Sequence, residues 1–291
     1  MRAAGVAPIL GTVASLRTPI RTSAAALVVL LALAGCTAPD DGAAGEPNAD
    51  PTSHDYRPGL AAFPHIPDGV TSAPVVVLVP GGSWESADPS GLEPLASELA
   101  EQGVVAVPVV IRAAEDGVAY PTPVEDILCA LADAAATAEA EGITPERLVL
   151  LGHSSGAHLS AVATLDAGRL TPSCEDPAVT PDALVGLAGP YDIRQFSDAA
   201  AALFEDGSDP GEWDSANPVL LAGQRPEVPT LLLHGEADDV VPPSFSTQFG
   251  RALSEAGHPT TVQLLSDEDH DSIYSAETAA APVVQWLSSL P

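Results

Sequence analysis

Leu148-Val149-Leu150-Leu151-Gly152-His153-Ser154-Ser155-Gly156 decides how this chain is read. Four apolar residues predict a short buried strand. A Gly-x-Ser-x-Gly turn follows at once, and then a helix of small residues running to about Asp166. So tight a turn holds its Ser at strained backbone angles, and bulky residues two before or two after it would clash. Gly152 and Gly156 remove those side chains. The hydroxyl of Ser154 then projects above the strand end, at the start of a helix whose dipole favours developing negative charge. A simple helix N-cap would account for one Ser but not for two glycines at fixed offsets.

Strand and helix patterns alternate on both sides of this turn. Residues 75–79 form a β-branched run between Pro74 and Pro80, as expected of a strand buried on both faces. Residues 104–111 read as the next strand, with Pro108 predicting a bulge or an early end. Further strands are expected at 183–188, 230–234 and 260–265, and helices at 89–101, 123–141, 243–256 and 276–290. The alternation predicts an α/β fold with a mostly parallel sheet covered by helices on both faces. Functional residues then collect at the carboxyl ends of the strands. The stretch 192–222 has no clear strand and is expected to form a short cap insertion.

The chain has 291 residues, 40 Asp+Glu and 10 Arg, and no Lys, for a formal charge of −30. Such a field repels phosphate backbones, so binding of nucleic acid through a basic patch is close to excluded. The 46% hydrophobic content argues for a filled core, and about 235 globular residues fit one large domain. The N-terminus reads differently. Arg2, Arg17 and Arg21 precede an uncharged stretch of 11 residues, 24–34. That length suits a signal peptide and falls short of the roughly 20 residues a membrane-spanning helix needs. Leu33-Ala34-Gly35-Cys36 resembles a bacterial lipobox, which implies cleavage before Cys36 and lipidation of its thiol and new amino group. The expected organisation is a signal peptide over 1–35, a flexible Pro/Gly/Asp-rich tether over 36–53, and a domain over 54–291. The implied location is extracytoplasmic and membrane-anchored. Cys129 and Cys174 then remain, and an exported chain is expected to bridge them.

From about residue 56 to 291 the chain resembles an α/β-hydrolase, on the strand–Gly-x-Ser-x-Gly–helix signature. That resemblance implies a triad in the order Ser, acid, His, each after its own strand, with Ser154 as nucleophile. Only His258 and His270 follow the acidic loop, and His258 lies at the amino end of strand 260–265. His270 follows that strand's carboxyl end and is the expected base. His234-Gly235-Glu236-Ala237-Asp238-Asp239-Val240-Val241-Pro242 resembles the family's H-G-x-x-D-x-x-V-P segment, which makes Asp238 the expected acid. Asp239 and, more distantly, Asp192 are its competitors.

Pro80-Gly81-Gly82-Ser83-Trp84 resembles the H-G-G-x-W oxyanion loop of esterases and formamidases in the hormone-sensitive-lipase and feruloyl-esterase-like branches. The matching donors are the N–H groups of Gly82 and Ser83, joined by that of Ser155. Pro80 stands where the family has His, which questions the hydrogen bonds that support the loop. Arg112 and Asp126 are expected to form a structural pair. His153 and His158, five apart, are poorly spaced for a metal site. His54 and His65 are expected at the surface ahead of the first strand, and Phe196, Phe204 and Trp213 are expected either to line an acyl pocket or to pack in the core or a lid. The expected activity is hydrolysis of a small-molecule or glycan carboxylic ester, with no cofactor. A peptidase, an arylformamidase, a polysaccharide deacetylase and an inactive binding lipoprotein remain as rivals.

Overall fold

The computed structural model describes residues 53–205 and 208–291. The expected signal peptide, the lipidation site at Cys36 and nearly all of the tether lie outside them.

The described chain begins with an antiparallel hairpin, β1 (His54–Arg57) and β2 (Leu60–Ala62), which the sequence reading did not foresee. Next come β3 (Ser72–Val79), α1 (Glu93–Glu101), β4 (Val105–Pro108), α2 (Thr122–Ala140), β5 (Thr144–His153) and α3 (Ser155–Leu165). After β6 (Ala183–Leu187) lie three short helices, α4 (Ser197–Ala200), α5 (Pro210–Ser215) and α6 (Pro218–Leu221). The chain closes with β7 (Thr230–Gly235), α7 (Ser244–Ala256), β8 (Thr260–Leu265) and α8 (Ala276–Ser289).

Six strands pair in parallel in the order β4-β3-β5-β6-β7-β8. The edge of β4 is covered by the segment after the hairpin, with His65 N–H donating to the Ala106 carbonyl at 2.8 Å and Phe63 N–H to that of Pro108 at 3.0 Å. Covering an edge in this way removes a template for unwanted pairing. Pro108 ends β4 early, as its missing N–H predicts.

β3 shows why the sheet sits between two helical layers. Val75, Val77 and Val79 face Ile127 and Leu131 of α2 and Ala157 and Ala161 of α3. Val76 and Leu78 face Leu95 and Leu99 of α1 and Val283 and Trp286 of α8. All five β3 residues are fully buried, and each contributes on the order of 1.5–3 kcal/mol by leaving water. From β3 the chain moves outward to β4, whereas from β5 it moves the other way to β6. The crevice between the ends of β3 and β5 is therefore the topological switch point, where open α/β sheets bind ligands.

Candidate active site

Register brings the site together. Val79 pairs with Gly152 across β3 and β5, so the Pro80–Trp84 loop leaves the sheet beside Ser154. Ser154 occupies the turn between β5 and α3 at φ +52 and ψ −123, a strained pair for a residue with a Cβ, costing on the order of 1–3 kcal/mol. The turn can be this tight only because both flanking glycines lack a side chain. A Cβ on Gly152 would lie 2.3 Å from the Gly156 carbonyl oxygen, and one on Gly156 would lie 2.3 Å from that of Pro80. The Ser154 N–H is itself anchored on the Leu187 carbonyl at 2.9 Å.

β7 and β8 bring in the other two side chains. Their register runs to Gly235 opposite Leu265, and the loops beyond are laced together by Ala237 N–H donating to the Glu268 carbonyl at 2.9 Å. Ser154 Oγ–H donates to His270 Nε2 at 3.0 Å, and His270 Nδ1–H donates to Asp238 Oδ2 at 2.8 Å. The other carboxylate oxygen of Asp238 accepts the N–H groups of Val240 and Val241 at 2.9 and 2.8 Å. Asp238 is buried while Asp239 is exposed, which separates the two candidates by environment.

Gly82 and Ser83 line the cavity that opens over Ser154, and a Cβ on Gly81 would sit 3.0 Å from Ser154 Cβ. As the first residue of α3, Ser155 offers an N–H that the helix leaves without an internal partner. The cavity is about 290 Å³ and is bordered by Asp88, Val240, Asp271 and Tyr274. A second, small recess of about 10 Å³ lies behind the loop, between Trp84, Ser155, Leu159 and Leu203.

Three further histidines serve this region, and no local pattern beyond the motifs they sit in marks their roles. His153 Nε2–H donates to the His270 carbonyl at 2.9 Å, tying the turn to the loop of the candidate base. Burial, reinforced by the neighbouring His270, lowers its pKa to about 3 and keeps it neutral. His234 is fully buried, with Nε2 3.1 Å from Asp238 Oδ2 and 2.8 Å from the Val241 carbonyl. His158 joins Trp84 to Ala216, and burial lowers its pKa to about 4.

Other expectations sort cleanly. Arg112 grips Asp126 through both oxygens, at 2.8 and 2.6 Å, and Arg57 adds a third bond at 2.9 Å. Asp192 is occupied by Arg194, Gln195 and Asn217, whose donors together outweigh burial and hold it well below the usual carboxylate range. His258 sits at the amino end of β8, its ring nitrogens 3.1 and 2.9 Å from the carbonyls of Val228 and Ala222. Cys129 and Cys174 form a disulfide. One expectation needs correction. His54 belongs to β1 rather than to a segment ahead of all strands, and it and His65 are half-buried in pairs with Asp133 and Glu93. Phe196, Phe204 and Trp213 do not line the cavity at Ser154; Phe204 stacks on Trp213 at 4.2 Å and Phe196 packs edge-on against Phe245. The 192–222 insertion packs beside α3, and none of its described residues borders that cavity.

With this geometry in place, comparison with known proteins assigns the family. The sequence model of BD-FAE matches residues 65–253, more than half of the chain. The chain belongs to the BD-FAE family. The BD-FAE match contains Ser154 and Asp238 and stops before His270. Esterase LipQ of Mycobacterium tuberculosis is 27% identical over 225 residues, which are 73% of this chain and 53% of that protein. The probable carboxylic ester hydrolase LipM of the same organism is 29% identical over 239 residues, 75% of this chain and 55% of its own. This BD-FAE chain thus spans about half the length of the curated relatives it matches. Among solved structures, an acetyl ester-xyloside bifunctional hydrolase from Caldicellulosiruptor lactoaceticus superposes with a TM-score of 0.67 at 21% identity, covering 79% of this chain and 88% of the other. A propionate-bound esterase, Est2, of Thermogutta terrifontis gives 0.65 at 19%, covering 81% and 91%. These likenesses establish the α/β-hydrolase fold.

Proposed function

We propose that this chain is a serine hydrolase of carboxylic esters, working through an acyl-enzyme on Ser154. The observation that carries the reading is the continuous path from Ser154 Oγ–H to His270 and on to Asp238, at 3.0 and 2.8 Å, opening into a cavity. His270 takes the Ser154 proton as Oγ attacks the carbonyl carbon. Asp238 fixes the imidazole tautomer and stabilises the imidazolium. The N–H groups of Gly82, Ser83 and Ser155 hold the oxyanion. His270 then protonates the departing alkoxide, and a water that it deprotonates cleaves the acyl-enzyme.

The two recesses point to a short acyl group on a polar alcohol. The 10 Å³ recess beside Ser155 has room for about one water-sized group, which suits the methyl of an acetyl ester. The larger cavity, bordered by Ser83, Asp88, Asp271 and Tyr274, suits a hydroxyl-rich small molecule or glycan and disfavours an anionic one. The names of relatives, among them esterase LipQ and the acetyl ester-xyloside hydrolase, agree with this class. The test is hydrolysis of p-nitrophenyl esters, acetyl to decanoyl, beside Ser154→Ala. Turnover lost in the variant supports the reading, whereas fluorophosphonate labelling of Ser154 without any ester turnover replaces it with an amide or peptide substrate.

We also infer export and lipid anchoring at Cys36. The leader pattern supports this reading, and the Cys129–Cys174 bridge suits an oxidising compartment. Fatty-acid labelling of cells that persists in Cys36→Ser would dismiss the anchor.

A further inference from the structure

Three consecutive residues of the loop after β3 have positive φ: Gly82 at +148, Ser83 at +55 and Trp84 at +60. Two of them carry side chains, so this conformation persists only if surrounding contacts hold it. Pro80 has no side-chain hydrogen bond to offer. Trp84 is 4% exposed, and its indole N–H donates to His158 Nδ1 at 3.1 Å, the two ring planes lying at 83° to each other. His158 is fully buried on α3, one turn beyond Ser154, and its Nε2–H donates to the Ala216 carbonyl at 2.7 Å. An imidazole that donates from Nε2 must accept at Nδ1 when neutral. The Ala216 carbonyl thereby selects the tautomer that Trp84 needs. Ala216 is held in turn by its neighbour Asn217, whose amide donates to Asp192 at 2.8 Å.

We propose that His158 is a positioning residue for the oxyanion hole. Through Trp84 it holds the Gly82–Ser83 N–H groups in place relative to Ser154, with the Ala216 carbonyl of the insertion fixing its tautomer. The inference rests on the serine-hydrolase reading of the site. It gives the 192–222 insertion a task other than covering the cavity: it buttresses the loop from behind. It also supplies the support that Pro80 cannot.

Isosteres separate the two hydrogen bonds. His158→Asn keeps an acceptor where Nδ1 lies and loses the reach to Ala216. His158→Gln keeps a donor near Nε2 and loses the acceptor, and Trp84→Phe removes the donor together with one of the two fused rings. In the full chain, Trp84→Phe and His158→Gln should lower kcat for p-nitrophenyl acetate about 10- to 100-fold with KM within about 3-fold, a partial version of losing an oxyanion donor. His158→Asn should stay within about 5-fold of the parent chain. Labelling by a fluorophosphonate is the second readout: Ser154 Oγ bonds to phosphorus, fluoride leaves, and His270 takes the proton. Its saturating rate should fall in the same order, because the phosphoryl oxygen sits on the same N–H groups. Unchanged rates in folded Trp84→Phe, or His158→Asn as slow as His158→Gln, would overturn the assignment. If His158→Gln does not fold, Trp84→Phe and His158→Asn decide it. A parent chain that labels but turns over no ester removes the ester reading and leaves the labelling rates to judge His158. One that does neither removes the nucleophile and this inference together.

Discussion

His234 and His270 share one oxygen: Asp238 Oδ2 lies 3.1 Å from His234 Nε2 and 2.8 Å from His270 Nδ1. Burial depresses the pKa of His234, so its ring is neutral with the proton on Nε2, while Ser246 Oγ–H donates to Nδ1 at 2.7 Å. The Val241 carbonyl and Asp238, which can only accept, thereby select the tautomer, and Ser246 steadies the ring that supports the candidate acid from behind. Ser246→Ala should reduce kcat/KM by about 2- to 10-fold. Asp238→Asn should reduce kcat by about 10⁴-fold, as expected when the base is left in the wrong tautomer. Steady-state kinetics of the two variants checks both, and equal losses would mean that Ser246 does more than steady the acid.

The nucleophile turn leaves no room for a methyl group at Gly156, where an added Cβ would meet two carbonyl oxygens, of Pro80 and Val79, at 2.3 and 2.4 Å. Gly156→Ala should destabilise the chain by about 1–3 kcal/mol through overpacking and move the Pro80–Trp84 loop away from Ser154. Thermal melting and ester turnover should fall together; a stable and active variant would show that the turn relaxes freely.

Acyl-chain preference follows from the recess bounded by Trp84, Leu159 and Leu203. Acetyl esters should be preferred over hexanoyl esters by about 10-fold or more, since each misplaced methylene is worth on the order of 1 kcal/mol or more. Leu203→Ala should shift the optimum toward longer chains, read as a ratio of kcat/KM values. A parent chain indifferent to acyl length would place the acyl group in the larger cavity instead.

Acid should loosen this fold through its buried imidazoles. His158 binds its proton only near pH 4 in the folded chain, against about 6.5 when unfolded. Between those values the unfolded state holds more protons, so stability is lost as pH falls from 6.5 and the loss levels off below 4. A shift of this size corresponds to roughly 3 kcal/mol. His153, with its pKa lowered to about 3, acts in the same direction and extends the window downward. Melting temperature measured from pH 7 to 4 should decline, and the decline should be shallower in His158→Asn, whose side chain does not titrate there.

Much of this architecture was legible because its strands are short β-branched runs punctuated by Gly and Pro. β8 runs over the residues expected, and β4 stops at Pro108 because a proline lacks the N–H that would continue the ladder. β5 begins at Thr144, not at 148, because Ser72–Pro74 offers its polar start a partner, a tertiary effect with no local pattern. The β1–β2 hairpin escaped notice since three- and four-residue strands carry almost no periodicity. Ser154, Asp238 and His270 were expected from the resemblance to the α/β-hydrolase order and to its H-G-x-x-D-x-x-V-P segment. The contacts that hold them were not, since Trp84 and His158 are 74 residues apart and nothing local marks the pair. Phe204 and Trp213 could be read either as pocket or as packing residues, because composition says that a ring will be covered, never by what.

The Cys129–Cys174 bridge turns the intervening chain into a covalent ring that contains Ser154. In the chain-entropy picture, a ring of 45 residues limits the unfolded state by about 4 kcal/mol. Within that ring, Arg169 is exposed on the segment after α3, the kind of site where proteases nick first. Trypsin cutting there should leave a molecule of unchanged apparent size on a non-reducing gel and two pieces after reduction. The wound would be invisible until a thiol arrives, so the reducing power of the surroundings, and not the protease alone, sets how long a nicked molecule lasts.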